Sequence, residues 1–432
     1  MTSEACIRLP LLSATWSRSN ATQFNGHVTP LQALVDLHAD VIHGFYVHTP
    51  FCVHKCHYCD FYSLAESGKS DSTRHEAFAR RLIREITLRC ASRKIKPHTI
   101  FIGGGTPTLL SAKIWNDLLA TFRVRGLLER VGEFTVEANP ETVHPELCDV
   151  LVRGGVNRVS LGAQSFQPKL LRTLERWHEP ASVRRAVRAF RAAGVANINL
   201  DLIFAIPGQT LESLHADLEA ALAMSPEHLS CYSLTYEPDT AMTQRLRMGE
   251  FQPASESLEK EMYRLVMERL AAAGYEHYEI SNWARWKDGQ LPWEHEMDCP
   301  ARSSYRCRHN LLYWRNGNWL GVGPSAASHV AGHRWKNLPH LGRYLTGEGA
   351  PPITDYEHLP PPRQQGEQLM MGLRLREGIL WPWLDVCLAP NDPRRRSIEQ
   401  FVRVGLLERS SDRLRLSERG RFVADGILAE LL

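Results

Sequence analysis

Residues 45–61 read FYVHTPFCVHKCHYCDF, a strand-like run (45–48) that breaks at Pro50 into a loop carrying Cys52, Cys56 and Cys59. Five further β-rich runs follow: TIFIGG at 99–104, EFTVEA at 133–138, RVSLGA at 158–163, NINLDLIFA at 197–205 and LSCYSLT at 229–235. Between them lie stretches such as HEAFARRLIREITLRC and SLHADLEAALAM, whose apolar residues recur every three or four positions, the helical period. Strands alternating with helices predict βα units and a parallel sheet. Six consecutive units predict an α/β fold, a partial (β/α)6 TIM-like barrel rather than a two-layer Rossmann sheet. Barrel active sites gather at the C-terminal ends of the strands, where the three cysteines fall.

Thiolates are the usual ligands of iron–sulfur clusters, which normally take four. Three from one loop leave one iron of a [4Fe-4S] cubane open to another ligand. A zinc site using the three cysteines with His54 or His57 is the competing reading, although zinc more often pairs two CxxC-like knuckles and no second knuckle stands nearby. Further along, Gly103-Gly-Gly-Thr106 ends the second run, and glycines there let backbone approach a ligand closely; a tight βα turn explains them equally well. Glu137 ends the third run, Gln164 the fourth, and Asp201 lies in the fifth. Each alone reads as well as a helix cap. Together, at one end of a parallel sheet, they predict a polar ligand site.

Composition narrows the class without naming a partner. The chain has 432 residues, 43% hydrophobic, with 51 basic and 48 acidic side chains and a formal charge of +3. That balance gives no ground for a nucleic-acid or membrane-surface partner. No apolar run approaches the roughly 20 residues that span a bilayer, and the first residues lack a secretory signal, so a cytoplasmic protein is expected. Residues 1–40 read as a loosely ordered extension.

The motifs carry a family resemblance. CxxxCxxC with an aromatic residue before the last cysteine is the signature of the radical S-adenosylmethionine (SAM) superfamily. Tyr46-Val-His-Thr-Pro-Phe-Cys52, Cys59-Asp-Phe61, Gly103-Gly-Gly-Thr-Pro107, Glu137-Ala-Asn-Pro140, Leu161-Gly-Ala-Gln164 and Asp201-Leu-Ile-Phe-Ala-Ile-Pro207 resemble the oxygen-independent coproporphyrinogen III oxidase group, most of all its haem-chaperone branch, HemW. The resemblance runs over about residues 45–380. It implies a [4Fe-4S] cluster on Cys52, Cys56 and Cys59, and SAM held by Tyr46, Gly104, Gly105, Thr106, Glu137, Gln164, Arg176 and Asp201. Arg176 follows Glu175 where the family usually has Gly or Asn, which weakens that assignment. Tyr58 stands where the oxidases tend to carry Phe, and its ring could pack on adenine or shield the cluster.

Two departures separate the branches. The oxidases continue CxxxCxxCxC, whereas this chain has Phe61 at the fourth cysteine position, and the extended N-terminal arm expected of an oxidase is missing. The run His309-Asn-Leu-Leu-Tyr313-Trp314 matches the HNxxYW pattern associated with haem in the chaperone branch; an imidazole such as His309 can ligate haem iron. Cys307 with Cys299 and His295 is a competing small metal site. The resemblance therefore implies a haem chaperone that carries cluster, SAM and haem, and that meets haem-accepting apoproteins, an electron donor and, in a homodimer, a second copy. The enzyme alternative is SAM-dependent oxidative decarboxylation of coproporphyrinogen III. The expected division is an extension (1–40), a radical-SAM barrel (41–282), an insertion loop with a haem-associated segment (283–358), and a small, mainly helical, winged-helix-like domain (359–432).

Overall fold

Six parallel strands follow one another across one sheet in chain order: β1 (Gly44–Thr49), β2 (Thr99–Gly104), β3 (Glu133–Ala138), β4 (Arg158–Gln164), β5 (Asn197–Phe204) and β6 (His228–Ser233). Each lies within two residues of its predicted position. The computed structural model describes residues 42–66, 72–91, 95–286 and 305–432. The intervening helices are α1 (Ser72–Ala91), α2 (Ala112–Val124), α3 (Pro145–Arg153), α4 (Pro180–Ala192) and α5 (Leu211–Leu222), followed by α6 (Glu256–Ala272). Their starts are written locally. Ser111 and Thr210 accept from backbone amides as N-caps, and α3 and α4 open on proline, whose missing N–H costs nothing there.

Strand alternation sorts the side chains onto two faces. Phe45, Val47, Ile100, Ile102, Phe134 and Val136 are buried against the helices, and the Phe122 ring of α2 meets Phe45 at 6.1 Å and Phe134 at 6.0 Å. The opposite register places Tyr46 beside Phe101, Thr99 beside Glu133, Thr135 beside Arg158, Ser160 beside Asn199, and Asn199 beside His228. The interior is therefore polar, unlike the branched apolar filling usual in (β/α)8 barrels.

The sheet does not close. Beyond β6, β7 (Tyr275–Glu279) and β8 (Asn282–Arg285) continue it antiparallel, with β7 at the edge. Helix α7 (Arg308–Trp314) follows, and β9 (Trp319–Val322) then pairs in parallel with β1. Strands β10 (Ala327–Val330), β11 (His333–Asn337) and β12 (Ile353–His358) extend that side antiparallel, making twelve strands in all. Strands β1 and β6 are unpaired with each other, so the six units form the partial barrel. Trp283, at the head of the stretch that loses periodicity, is fully buried in β8.

Residues 361–416 run helix, strand, two helices and a hairpin, the order of a winged helix. Helix α8 (Pro361–Arg374) leads to Ile379–Leu380, then Trp381–Cys387 and Pro393–Arg403, then Leu407–Arg409 and Arg413–Leu416. The residues after it return to the barrel side, where the rings of Phe422 and Tyr263 of α6 meet 5.5 Å apart. Among the described residues no helix is long and apolar enough to cross a membrane.

Candidate functional site

The cysteine loop leaves β1 at Pro50 and is pinned at several points. Leu64 N donates to Pro50 O (2.7 Å), Glu66 N to Cys52 O (2.9 Å), His57 N to Leu174 O (3.3 Å) and Met242 N to His57 O (2.8 Å). Thr106 Oγ1 donates to Cys52 Sγ (3.5 Å) and Arg176 Nη1 to Cys56 Sγ (3.3 Å). Burial, and after it the neighbouring Cys56 and Cys52, pushes the Cys59 thiol up to about 12. Burial raises the Cys52 thiol as well; thiols held neutral in this way become ligands only against a cationic partner, which suits an iron–sulfur cluster. His57 Nδ1 accepts from Arg245, and His54 stacks on Trp177 at 4.0 Å with its Nε2 buried and unpartnered. Among the described residues no group of three or more His, Cys, Asp or Glu is gathered as a single metal ion requires.

The second strand clasps this loop. Gly105 N donates to Thr49 O and Thr106 N to Phe51 O, each at 2.6 Å. A Cβ on Gly105 would lie 2.5 Å from Phe51 O, and one on Gly104, whose φ is +99°, would lie 2.5 Å from the His48 ring; glycine is required at both. Gly104 N donates to Glu137 Oε2 (3.0 Å), Tyr46 Oη pairs with His48 Nδ1 (3.0 Å), and Asp201 accepts from Ser160 (3.0 Å) and Asn199 (2.7 Å). Gln164 ends β4 with φ +62°, and Arg176 Nη2 donates to Gly162 O (3.0 Å). Tyr58 packs with Leu174, Ile206 and Met242 beneath the loop. The structure thus brings Tyr46, Tyr58, Gly104, Gly105, Thr106, Glu137, Gln164, Arg176 and Asp201 to the cysteine end of the barrel. Arg176 Nε is buried there without a partner, a donor left for an anionic group such as a ligand carboxylate.

Burial, aided by the Asp201 charge, pushes the Glu137 carboxyl from the usual 4.5 up to about 7. A carboxyl raised by folding contributes stability that is whole below 4.5 and lost as pH rises through about 7. Thermal melts of ligand-free wild type and Glu137→Gln are expected to diverge over that interval, the variant gaining on the wild type as pH rises. A constant difference would show that Glu137 ionises freely.

His309 lies at the other end. Glu133, the first residue of β3, accepts from the backbone N–H of Arg308 (2.8 Å) and His309 (3.0 Å) and from Cys307 Sγ (3.5 Å), so a carboxylate caps α7 and seats it on the N-terminal mouth of the barrel. The His309 ring is 1% exposed and stacks on Phe101 at 5.3 Å; Nδ1 pairs with Thr99 Oγ1 (2.8 Å) and Nε2 with Tyr313 Oη (2.9 Å). Burial, then Arg158, lowers it to about 3, so it stays neutral. Its nitrogens are thus both committed inside the barrel, and neither faces a surface. Cys299 and His295, the partners suggested for Cys307, lie outside the described residues.

A hydrogen-bonded chain joins the two ends. Asn310 Nδ2 donates to Tyr278 Oη (3.4 Å), Tyr278 Oη meets His228 Nε2 (2.9 Å), His228 Nδ1 meets Asn199 Oδ1 (2.6 Å), and Asn199 Nδ2 donates to Asp201. Sequence reasoning passed over His48, Glu133, Arg158, Ser160, Asn199 and His228. Their signal was present: polar residues at every second position of runs whose other positions are apolar mark a second buried face.

The radical SAM superfamily profile matches residues 46–221, and that of the HemN C-terminal domain matches residues 359–423. The chain is 34% identical to the haem chaperone HemW of Mycobacterium tuberculosis over 90% of this chain and 94% of that one. It is 37% identical to HemW of Lactococcus lactis over 78% and 82%. Among solved structures it is similar to the coproporphyrinogen III oxidase HemN of Escherichia coli, a radical SAM enzyme, with a TM-score of 0.77 and 20% identity over 94% of this chain and 93% of the other. At that identity the likeness shows the fold alone.

Proposed function

This chain belongs to the HemW family of the radical SAM superfamily, and on that premise we propose that it binds haem, carries a [4Fe-4S] cluster with SAM, and delivers haem to apoproteins. Cys52, Cys56 and Cys59 hold the cluster, and Tyr46, Gly104, Gly105, Thr106, Glu137, Gln164, Arg176 and Asp201 surround SAM. When bound and reduced by a donor, the cluster supplies one electron at an open iron. The residues of this chain orient: Arg176 offers a cation, Glu137 and Asp201 offer carboxylates to an ammonium group, and buried Tyr58 keeps water from the loop.

The observation that carries the reading is α7. The HNxxYW helix closes the barrel floor and is linked through Tyr278, His228 and Asn199 to Asp201 at the SAM end. Ligation of haem iron by His309 then requires α7 to release a ring nitrogen from Thr99 or Tyr313, and that release is a discrete step at which haem is taken up or let go. The lack of a fourth cysteine at Phe61 supports chaperone over oxidase.

Anaerobic reconstitution with iron and sulfide, followed by parallel assays, tests this. Haem is expected to bind with about one equivalent per chain, shift its Soret band and pass to an apo-haemoprotein, with no turnover of coproporphyrinogen III in the presence of SAM and reductant. Robust turnover without haem transfer would assign the chain to the oxidases.

A further inference from the structure

Arg158 stands inside the barrel without a partner. It is 2% exposed, its Nε is buried with no hydrogen bond, and its guanidinium forms no ion pair among the described residues. Strand register sets it in a row across three strands, with Thr135 on β3, Arg158 on β4 and Asn197 on β5 directly opposite one another and so on one face. Thr135 Oγ1 and Asn197 Oδ1 in that row are also buried and unpartnered. The neighbouring carboxylates offset the charge without meeting the guanidinium. Glu133 spends both oxygens on Cys307, Arg308 and His309, and Asp201 accepts from Ser160 and Asn199. The row therefore offers the five N–H groups of a guanidinium, a hydroxyl that can turn either way and one amide. Donors are in excess, and they carry the positive charge. Buried charges are stable when paired, so an open guanidinium here is a receptor for an anionic oxygen group.

The place of Arg158 in the barrel says which ligand reaches it. Thr99 and Glu133, opposite each other in the first row, hold the His309 ring and the start of α7. Arg158 stands one row, about 7 Å, further in. Burial first, and then the Arg158 charge, lowers both the His309 and the His228 imidazole, so the guanidinium is near both rings. When the His309 ring leaves Thr99 for iron, the row behind it is uncovered. Haem carries two propionate carboxylates at one edge, and a guanidinium fork matches a carboxylate with two parallel N–H···O bonds. We propose, on the haem-carrier reading, that Arg158 receives a propionate of the bound haem, with the Thr135 hydroxyl as a second donor to the same carboxylate. His309 then holds the iron and Arg158 the periphery of the ring. An iron-free porphyrin keeps only the second contact.

Spectroscopic titration of the full-length, cluster-reconstituted protein with haem, haem dimethyl ester and iron-free protoporphyrin IX, in wild type and in Arg158→Met, tests it. The wild type is expected to bind haem at least about tenfold more tightly than the ester, and Arg158→Met to bind the two alike, near the affinity of the wild type for the ester. Porphyrin binding, read by fluorescence, is expected to weaken in Arg158→Met as haem binding does. Because the Arg158 guanidinium is unpaired in the ligand-free chain, Arg158→Met is expected to melt no lower than the wild type, which a structural arginine would not allow. Arg158→Lys, which keeps the charge and loses the fork, is expected to recover part of the preference for haem over its ester. The comparison of haem with ester in the wild type needs no variant. Porphyrin held through Arg158 with no Soret shift by haem would remove the iron ligand and leave the carboxylate site standing. Haem bound with a Soret shift, but as tightly as its ester or equally by wild type and Arg158→Met, would leave Arg158 to water and overturn the proposal while the haem reading stands. No binding of any of the three overturns both.

Discussion

Cys56→Ser is expected to reduce iron and sulfide content after anaerobic reconstitution to background and to abolish the charge-transfer absorbance of the cluster. Cys56 is buried, its sulfur accepts a hydrogen bond from Arg176, and its backbone carbonyl takes the amide of Cys59, so the loop has no slack with which to bring another donor to the vacated corner. A serine hydroxyl ionises far above any thiol and is a poor ligand for soft iron–sulfur centres. SAM affinity is expected to fall with the cluster, since the open iron is lost. The control is Cys307→Ser. Cys307 is equally buried but bonds Glu133 at the opposite mouth, and its replacement is expected to leave iron content unchanged. Full iron content in Cys56→Ser, or its loss in Cys307→Ser, would move the cluster away from the loop.

His309→Ala is expected to destabilise the protein by about 3 kcal/mol, through the cavity left by a buried ring and the stranded hydroxyls of Thr99 and Tyr313. Denaturant melts measure that loss. Haem titration measures a separate one: if α7 yields His309 to iron, the Soret shift disappears in His309→Ala and is not restored in His309→Gln, even though glutamine can keep the hydrogen bonds and recover part of the stability. A Soret shift unaltered in both variants would make His309 a structural plug only, and the iron ligand would have to be sought elsewhere. Tyr313→Phe frees Nε2 without removing the ring, and tighter haem binding in that variant is the expected sign that release of the imidazole limits uptake.

The cysteine loop and the residues at the strand ends were legible because their meaning is local. A run such as EFTVEA declares a strand, its last polar residue stands at the ligand end, and CxxxCxxC needs only a turn to bring its sulfurs together. Trp283 was not legible. It belongs to β8 and is buried by partners on β6 and β7, yet its sequence neighbours are Gly, Pro and charge, which read as loop. His309 was legible as part of a six-residue pattern, but the pattern says nothing of direction; the same histidine could face solvent, a ligand or a core.

The sequence by itself therefore determined the parallel order of the six units, the three sulfurs and the residues gathered around them, because strand period, turn chemistry and ligand spacing act over a few residues. Only the tertiary structure decided that the HNxxYW helix seals the opposite mouth of the barrel. That placement rests on Glu133 capping a helix 176 residues further along the chain and on an interior made polar by the shared register of six strands. No local pattern encodes such a contact, since it exists only after the sheet has formed and left a buried carboxylate in need of donors.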